Sequence, residues 1–370
     1  MPNRSTVVNV RRLYLNLQLQ ADNPGRRVIA SLDAQKALDS VQWEYLWGVM
    51  QKFGFGPRFI EWVQLLYSQP TAKIRVNGAI SPSFHLGRGT RQGYPLSLLL
   101  FAIAIEPLAA VIRETREVQG FKYGRLEEKI ALYADDLLLF LGDPSESLSC
   151  AMQIIERFGA ISGLKINWSK SVLFKVDRDV EWTDREKEEN KLQCKEVFKY
   201  LGIQVSLSVS DYLNINLAPL LKKLKAKIDI WTKLHITVVG RINLFKMILM
   251  PKLLYVLHNA PMWISKKRFK SLNVMIRALV WGKKQARIRL EILQRPKDEG
   301  GLALPNPEMY FLAAQSQHFR GWSFSGSGGS IKRILEHSME KRPLLEGGDM
   351  GRLGGGKCLQ WISYIKPGTH

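Results

Sequence analysis

Three acidic residues carry the chemistry open to this sequence. Asp135 and Asp136 interrupt Ala131-Leu132-Tyr133-Ala134-Asp135-Asp136-Leu137-Leu138-Leu139-Phe140, which holds no other charge. Burying an unpaired carboxylate is expensive, so two acids at a core-flanked turn need water, cations or a metal beside them. Taken alone, Asp-Asp reads first as an ordinary polar turn, where aspartate is common. Asp33 shifts that balance. It closes the compact apolar run Arg27-Val28-Ile29-Ala30-Ser31-Leu32-Asp33, 102 residues before Asp135. If both runs are strands of one sheet, their acids meet within a few ångströms. Carboxylates so placed can hold two divalent ions about 3.5–4 Å apart for phosphoryl transfer. Magnesium suits such a site because it takes a few carboxylates plus substrate phosphates. Side chains alternate along a strand, so Asp135 and Asp136 are expected to face different ways, one as main ligand and one as auxiliary.

The elements that must position these acids can be read from periodicity. Lys129–Leu132 and Leu137–Leu141 read as buried strands, with Ala134-Asp135-Asp136 as the hairpin tip. Apolar residues at Val41, Tyr45, Val49 and Phe53 recur at near-helical spacing, with Asp39 or Ser40 as the N-cap. A second helix is expected over Phe59–Tyr67. Lys73–Val76 and Ser83–Leu86 read as an irregular hairpin around Asn77-Gly78. A basic turn, Gly87 to Gly93, leads into a long apolar helix opening at Pro95. Further expectations are a helix near Glu146–Ser162, strands at Ser171–Val176 and Val197–Val205, and a solvated segment at Glu181–Lys191. Residues 1–25 read as polar, without a domain-opening element. A helix is expected near Met309–Trp322, followed by flexible Gly/Ser-rich stretches at Ser323–Ser330 and Gly347–Gly356.

Charge points to the partner. The chain of 370 residues carries a formal net charge of +21. Pro219–Glu299 holds 19 Lys/Arg against 4 acids, so +15 of that excess lies in one stretch. Such a positive region suits a polyanion, most often nucleic acid. Its aromatics (Trp231, Phe245, Tyr255, Trp263, Phe269, Trp281) are read as helix core rather than base-stacking platforms. Cys150, Cys194 and Cys358 are far apart, which argues against a disulfide framework or zinc knuckle. The longest apolar stretch, Leu96–Ile112, is broken by Glu106-Pro107 and reads as too short to span a bilayer. A nuclear or cytoplasmic location is expected, with no membrane.

Four ordered pieces resemble the reverse transcriptase domain of LINE-type (non-LTR) retrotransposons. They are Leu32-Asp33-Ala34-Gln35-Lys36-Ala37-Leu38-Asp39, Arg88-Gly89-Thr90-Arg91-Gln92-Gly93-Tyr94-Pro95-Leu96-Ser97, Tyr133-Ala134-Asp135-Asp136, and Ser162-Gly163-Leu164-Lys165-Ile166-Asn167 with Lys170-Ser171. Phe198-Lys199-Tyr200-Leu201-Gly202 resembles the family's primer grip. Gly240-Arg241-Ile242 through Tyr255 resembles its thumb, and Gly300 to Pro305 the segment after it. The likeness covers roughly residues 7–322.

The resemblance implies an α+β fold: a palm with an antiparallel acid-bearing sheet, partial fingers and a helical thumb. Residues 1–205 would be partial fingers and palm, 206–299 the basic thumb, and 300–370 a post-thumb segment with a flexible tail. It implies RNA-directed DNA polymerase activity with an RNA template, a DNA primer and deoxynucleoside triphosphates, and two Mg2+ ions for which Mn2+ could substitute. Asp33 and Asp135 would be the catalytic, metal-binding acids, with Asp136 supporting them. Leu38, Arg91, Gln92, Gly93 and Lys165 would line the nucleotide site; Tyr133, Tyr200, Leu201 and Gly202 would contact primer. Lys165 and Lys170 are both candidates for proton donation to pyrophosphate. No protein partner is implied.

Departures from the pattern temper the function. Leu38 stands where the family has Phe, Tyr94 where it has Cys, and Leu98 where it has Pro. The family's N-terminal finger strands, endonuclease and cysteine-rich knuckle have no counterpart, so the sequence reads as a truncated fragment that binds primer-template better than it polymerises. The rival readings are a non-enzymatic nucleic-acid-binding relic and a two-metal nuclease. A nuclease has no use for the Gln92-Gly93 turn or the primer-grip pattern.

Overall fold

The computed structural model describes residues 6–20, 25–91, 93–177, 192–282 and 284–324. Two compact units emerge, one of residues 20–196 and one joining residues 1–19 to 197–370. The division falls between Glu196 and Val197. Helix α1 (Thr6–Gln20) supplies the N-terminal part of the second unit.

The first unit is built on strand β1 (Val28–Gln35), whose apolar run is buried on both faces. A short helix α2 (Ala37–Ser40) follows, then α3 (Trp43–Lys52) and α4 (Pro57–Leu66). The N-cap of α3 is Gln42, with no side-chain cap bond, so neither Asp39 nor Ser40 caps it. Two nested two-stranded ribbons come next. The inner one pairs β3 (Arg75–Val76) with β4 (Ala79–Ile80), and the outer one β2 (Thr71–Ala72) with β5 (Phe84–His85). Arg75-Val76 thus takes Ala79-Ile80 as its partner, because Asn77 and Gly78 both adopt positive φ (48° and 89°) and close a two-residue turn.

Helix α5 (Pro95–Glu114) runs 20 residues straight through Pro107. Its length and hydropathy satisfy those of a membrane-crossing helix, contrary to the shorter, interrupted segment expected from sequence. Leu100, Phe101, Ala104, Ile105, Leu108 and Ile112 nevertheless pack it into the core with Val28, Ala30 and Leu32. A small ribbon, β6 (Phe121–Tyr123) with β7 (Leu126–Glu128), precedes β8 (Ile130–Tyr133) and β9 (Asp136–Leu141). Helix α6 (Pro144–Ser162) starts at Asp143, whose carboxylate accepts from the Ser145 amide and is held below the usual range by that bond. It stops at Gly163, where φ is 80°. Then come β10 (Lys165–Ile166), β11 (Val172–Lys175) and β12 (Gln193–Lys195).

The sheet order is β12-β11-β1-β9-β8, with β10 also on β1. Every strand that pairs with β1 is antiparallel to it. Arg27, 6% exposed, secures the start of β1 through a two-pronged bond to Asp177: Nε to Oδ2 at 3.0 Å and an Nη to Oδ1 at 2.7 Å.

The second unit has a hairpin, β13 (Val197–Tyr200) with β14 (Ile203–Ser206), and a set of helices. The helices span Ala218–Trp231, Val238–Leu244, Met250–Asn259, Lys266–Trp281, Leu290–Gln294 and Pro307–Phe324. Contrary to the reading of residues 1–25 as polar, Val10, Leu13, Tyr14 and Leu17 of α1 are buried. The Tyr14 hydroxyl donates to the Gln204 carbonyl at 3.2 Å, and the Arg11 guanidinium to the His258 carbonyl and Gln315 Oε1, both at 2.9 Å. Arg, Asn and Gln scattered among the apolar residues conceal this helix in the sequence. The Glu181–Lys191 segment and the Gly/Ser-rich stretches after Phe324 lie outside the described residues.

Candidate nucleotidyl-transfer site

The site is assembled by register. Asp33 of β1 stands directly opposite Asp136, the first residue of β9. Residues opposed in an antiparallel pair project to the same face about 5 Å apart. Tyr133 pairs with Asp136, so the hairpin turn is Ala134-Asp135 and Asp136 belongs to the strand rather than to the tip. Ala134 takes a positive φ of 51°. A residue with Cβ is disfavoured there, and such strain persists where the surroundings enforce it. The sequence gives Asp136 the supporting role, yet the register makes it the direct neighbour of Asp33.

Electrostatics follow from this crowding. Burial, then Asp135, then Asp33 push the Asp136 carboxyl up to about 6. Among the described residues Lys170 pairs with Asp33: its Nζ lies 3.8 Å from Asp33 Oδ2 while its own side chain is 69% exposed. Oxygen-only donors with excess negative charge form the chemistry that a hard divalent cation requires. Among the described residues, no group of three or more His, Cys, Asp or Glu could hold a metal ion by itself.

The fourth sequence piece locks the end of β1. Asn167 donates its amide to the Asp33 carbonyl at 2.7 Å, and the Asp33 amide donates to Ser171 Oγ at 3.1 Å. Ser171 in turn donates to the Asn167 carbonyl at 2.8 Å. Lys165 stands opposite Gln35 and is exposed. Gly163 lies against Ser40, where an added Cβ would come within 2.4 Å of the carbonyl oxygen. Asn167 and Ser171 thus act on the backbone of Asp33, a role for which the sequence holds no signal beyond their place in the motif.

The second piece meets the same region. The Leu38 carbonyl accepts from the Thr90 amide at 2.6 Å and from its hydroxyl at 3.2 Å. Leu38 itself is half-buried and packs on the core. Arg91 and Gly93 are exposed, Gly93 with φ 81°, and Tyr133 is half-buried. Gln92 lies outside the described residues. Thr90, only 3% exposed, was not singled out from sequence.

The primer-grip candidates belong to the second unit. Leu201 and Gly202 form the two-residue turn of the β13–β14 hairpin, with φ of 47° and 80°. The Tyr255 hydroxyl donates to the Leu201 carbonyl. The Tyr200 side chain is 1% exposed and fills the core. Alternation along β13 presents Lys199 instead, between buried Phe198 and Tyr200. In the basic helices, Lys222, Lys223, Lys225 and Lys227 are exposed, as are Lys266, Lys267, Arg268, Lys270 and Arg277. Their aromatics divide: Phe245 and Phe269 are core, while Tyr255 and Trp263 are exposed.

Residues 1–205 match the family model "Reverse transcriptase (RNA-dependent DNA polymerase)". The Xenopus laevis transposon TX1 uncharacterized 149 kDa protein is 31% identical over 223 residues, 55% of this chain and 16% of that protein. The Drosophila melanogaster Pol polyprotein from type-2 retrotransposable element R2DM is 26% identical over 290 residues, 75% of this chain and 26% of the polyprotein. The chain therefore spans about a quarter or less of the length of these relatives. Among solved structures, telomerase from Candida tropicalis with the TWJ fragment of telomeric RNA aligns with TM-score 0.43 and 11% identity, covering 89% of this chain and 52% of that one. The chain belongs to the reverse transcriptase family, and its relatives are the proteins of LINE-type (non-LTR) retrotransposable elements.

Proposed function

We propose that this chain is an RNA-directed DNA polymerase segment that extends a DNA primer on an RNA template with deoxynucleoside triphosphates. The observation that carries this reading is the register of Asp33 opposite Asp136 beside the Asp135 turn. Asp33, Asp135 and Asp136 would hold divalent ions, magnesium by preference with manganese as a substitute, together with substrate phosphates. Bound there, the ions supply activation of the attacking hydroxyl and charge stabilisation on the leaving pyrophosphate. The chain's own groups do the positioning. Asn167 and Ser171 fix the backbone of Asp33, and Tyr133 lies beside the turn as the primer-end residue. Leu38 and Gly93 line the nucleotide site, while Arg91, Lys165 and Lys170 offer cations to phosphate. The exposed lysines and arginines of the second unit suit sequence-independent duplex contacts.

Primer extension on an RNA template with magnesium tests the proposal. Extension that vanishes in Asp33→Asn and Asp135→Asn supports it. Shortening of the primer supports a nuclease, and binding with neither outcome leaves a nucleic-acid-binding relic.

A further inference from the structure

We infer that Trp43 is a positioning residue for the nucleotide site, acting through residues 87–91; the inference rests on the polymerase reading above. The indole Nε1 donates to the Gly89 carbonyl at 2.8 Å. The Gly89 amide donates to the Val41 carbonyl at 2.8 Å, and the next amide, Thr90, to Leu38 at 2.6 Å. Three consecutive polar groups of the loop backbone are thereby committed to residues 38–43. That segment begins three residues after β1 ends, so the clip ties the loop to the strand bearing Asp33.

The approach is close enough to require glycine. At Gly89, φ is 89°, and an added Cβ would lie 2.7 Å from the Asp39 carbonyl oxygen. Trp43 is itself held by ring contact with Tyr67, centroids 5.8 Å apart, and Tyr67 is 6% exposed. The indole therefore presents its N–H from a fixed place. Downstream of the clip, Arg91 and Gly93 are exposed, and the bond described there is local, from the Tyr94 amide to the Arg91 carbonyl at 3.4 Å. Their position is set by Gly89 and Thr90 on one side and by the start of α5 at Pro95 on the other. Small misplacement of a substrate-positioning group has a large effect on rate.

The test is Trp43→Phe, which keeps an aromatic ring near Tyr67 and removes the donor along with part of the indole's bulk. Loss of one such bond is worth about three- to tenfold. KM for the deoxynucleoside triphosphate should rise by about that factor, while the affinity for an RNA–DNA duplex stays unchanged. An unchanged KM, or a loss of duplex affinity equal to the change in KM, overturns the inference. Failure of the wild-type chain to extend primer counts against the polymerase reading instead. In that case amide exchange decides the clip. Trp43→Phe should speed exchange at Gly89 and Thr90 and leave β1 and β9 as they were; equal rates at the loop refute it.

Discussion

Asp136→Asn should make the fold more stable at neutral pH while removing the candidate activity. Asp136 is raised from an ordinary 3.8 to about 6 by burial and by its two acidic neighbours. The sign follows from linkage. A carboxyl whose folded value exceeds its unfolded value contributes no penalty below about pH 4. As pH rises through about 6, the folded state must carry a charge it resists, and stability falls. In full, that rise corresponds to about 3 kcal/mol. Asp136 is half-buried, and screening by solvent reduces the figure to roughly 1–2 kcal/mol. Asparagine keeps the shape and removes the charge. The variant should therefore be about 1–2 kcal/mol more stable at pH 7.5 and nearly equal to the parent at pH 4. The assay is urea unfolding read as amide protection of β1 and β9 peptides, both proteins at the same pH. If the acids hold magnesium as proposed, millimolar magnesium should narrow the gap, because the variant has lost one of the proposed ligands. A less stable variant at pH 7.5, or a difference independent of pH, would refute the reasoning.

Other outcomes follow from the same structure. Gly163→Ala forces a Cβ against the Ser40 carbonyl at positive φ, and should destabilise the first unit by about 2–3 kcal/mol in urea melts. Asp177→Ala leaves Arg27 buried without its carboxylate and should cost about 3–5 kcal/mol, more than a surface pair. If the chain polymerises, Leu38→Phe should lower its ratio of ribo- to deoxynucleotide incorporation about ten- to a hundredfold, since a planar ring closes space beside the sugar. An equal ratio in both proteins would remove Leu38 from the site. Affinity for an RNA–DNA duplex should fall about a thousandfold between roughly 50 and 200 mM salt, as counterion release by many lysines demands. Replacing Lys222, Lys223, Lys225 and Lys227 by Gln should flatten that slope, and an unaltered slope would place the contacts elsewhere.

The sequence by itself determined the chemistry and the main elements. An apolar run ending in Asp33 and a second run around Asp135-Asp136 have little alternative to being core strands, because uncharged β-branched and leucine-rich stretches must be buried. Pro95 marks its helix start through a missing amide, and the motif order specifies the family. What periodicity could not resolve was which acid faces which. A one-residue choice of turn decides whether Asp135 or Asp136 enters the strand, and that depends on pairing with β1, not on local preference. Burial was similarly nonlocal. Tyr200 looks like a surface contact in its motif, but alternation along β13 turns it inward. Helix α1 looks polar until Tyr14 and Arg11 find carbonyl partners 190 and 247 residues away. The clip from Trp43 to Gly89 spans 46 residues and uses backbone groups, which carry no sequence signature. Such bonds exist only once the chain has folded, so the tertiary structure alone could decide them.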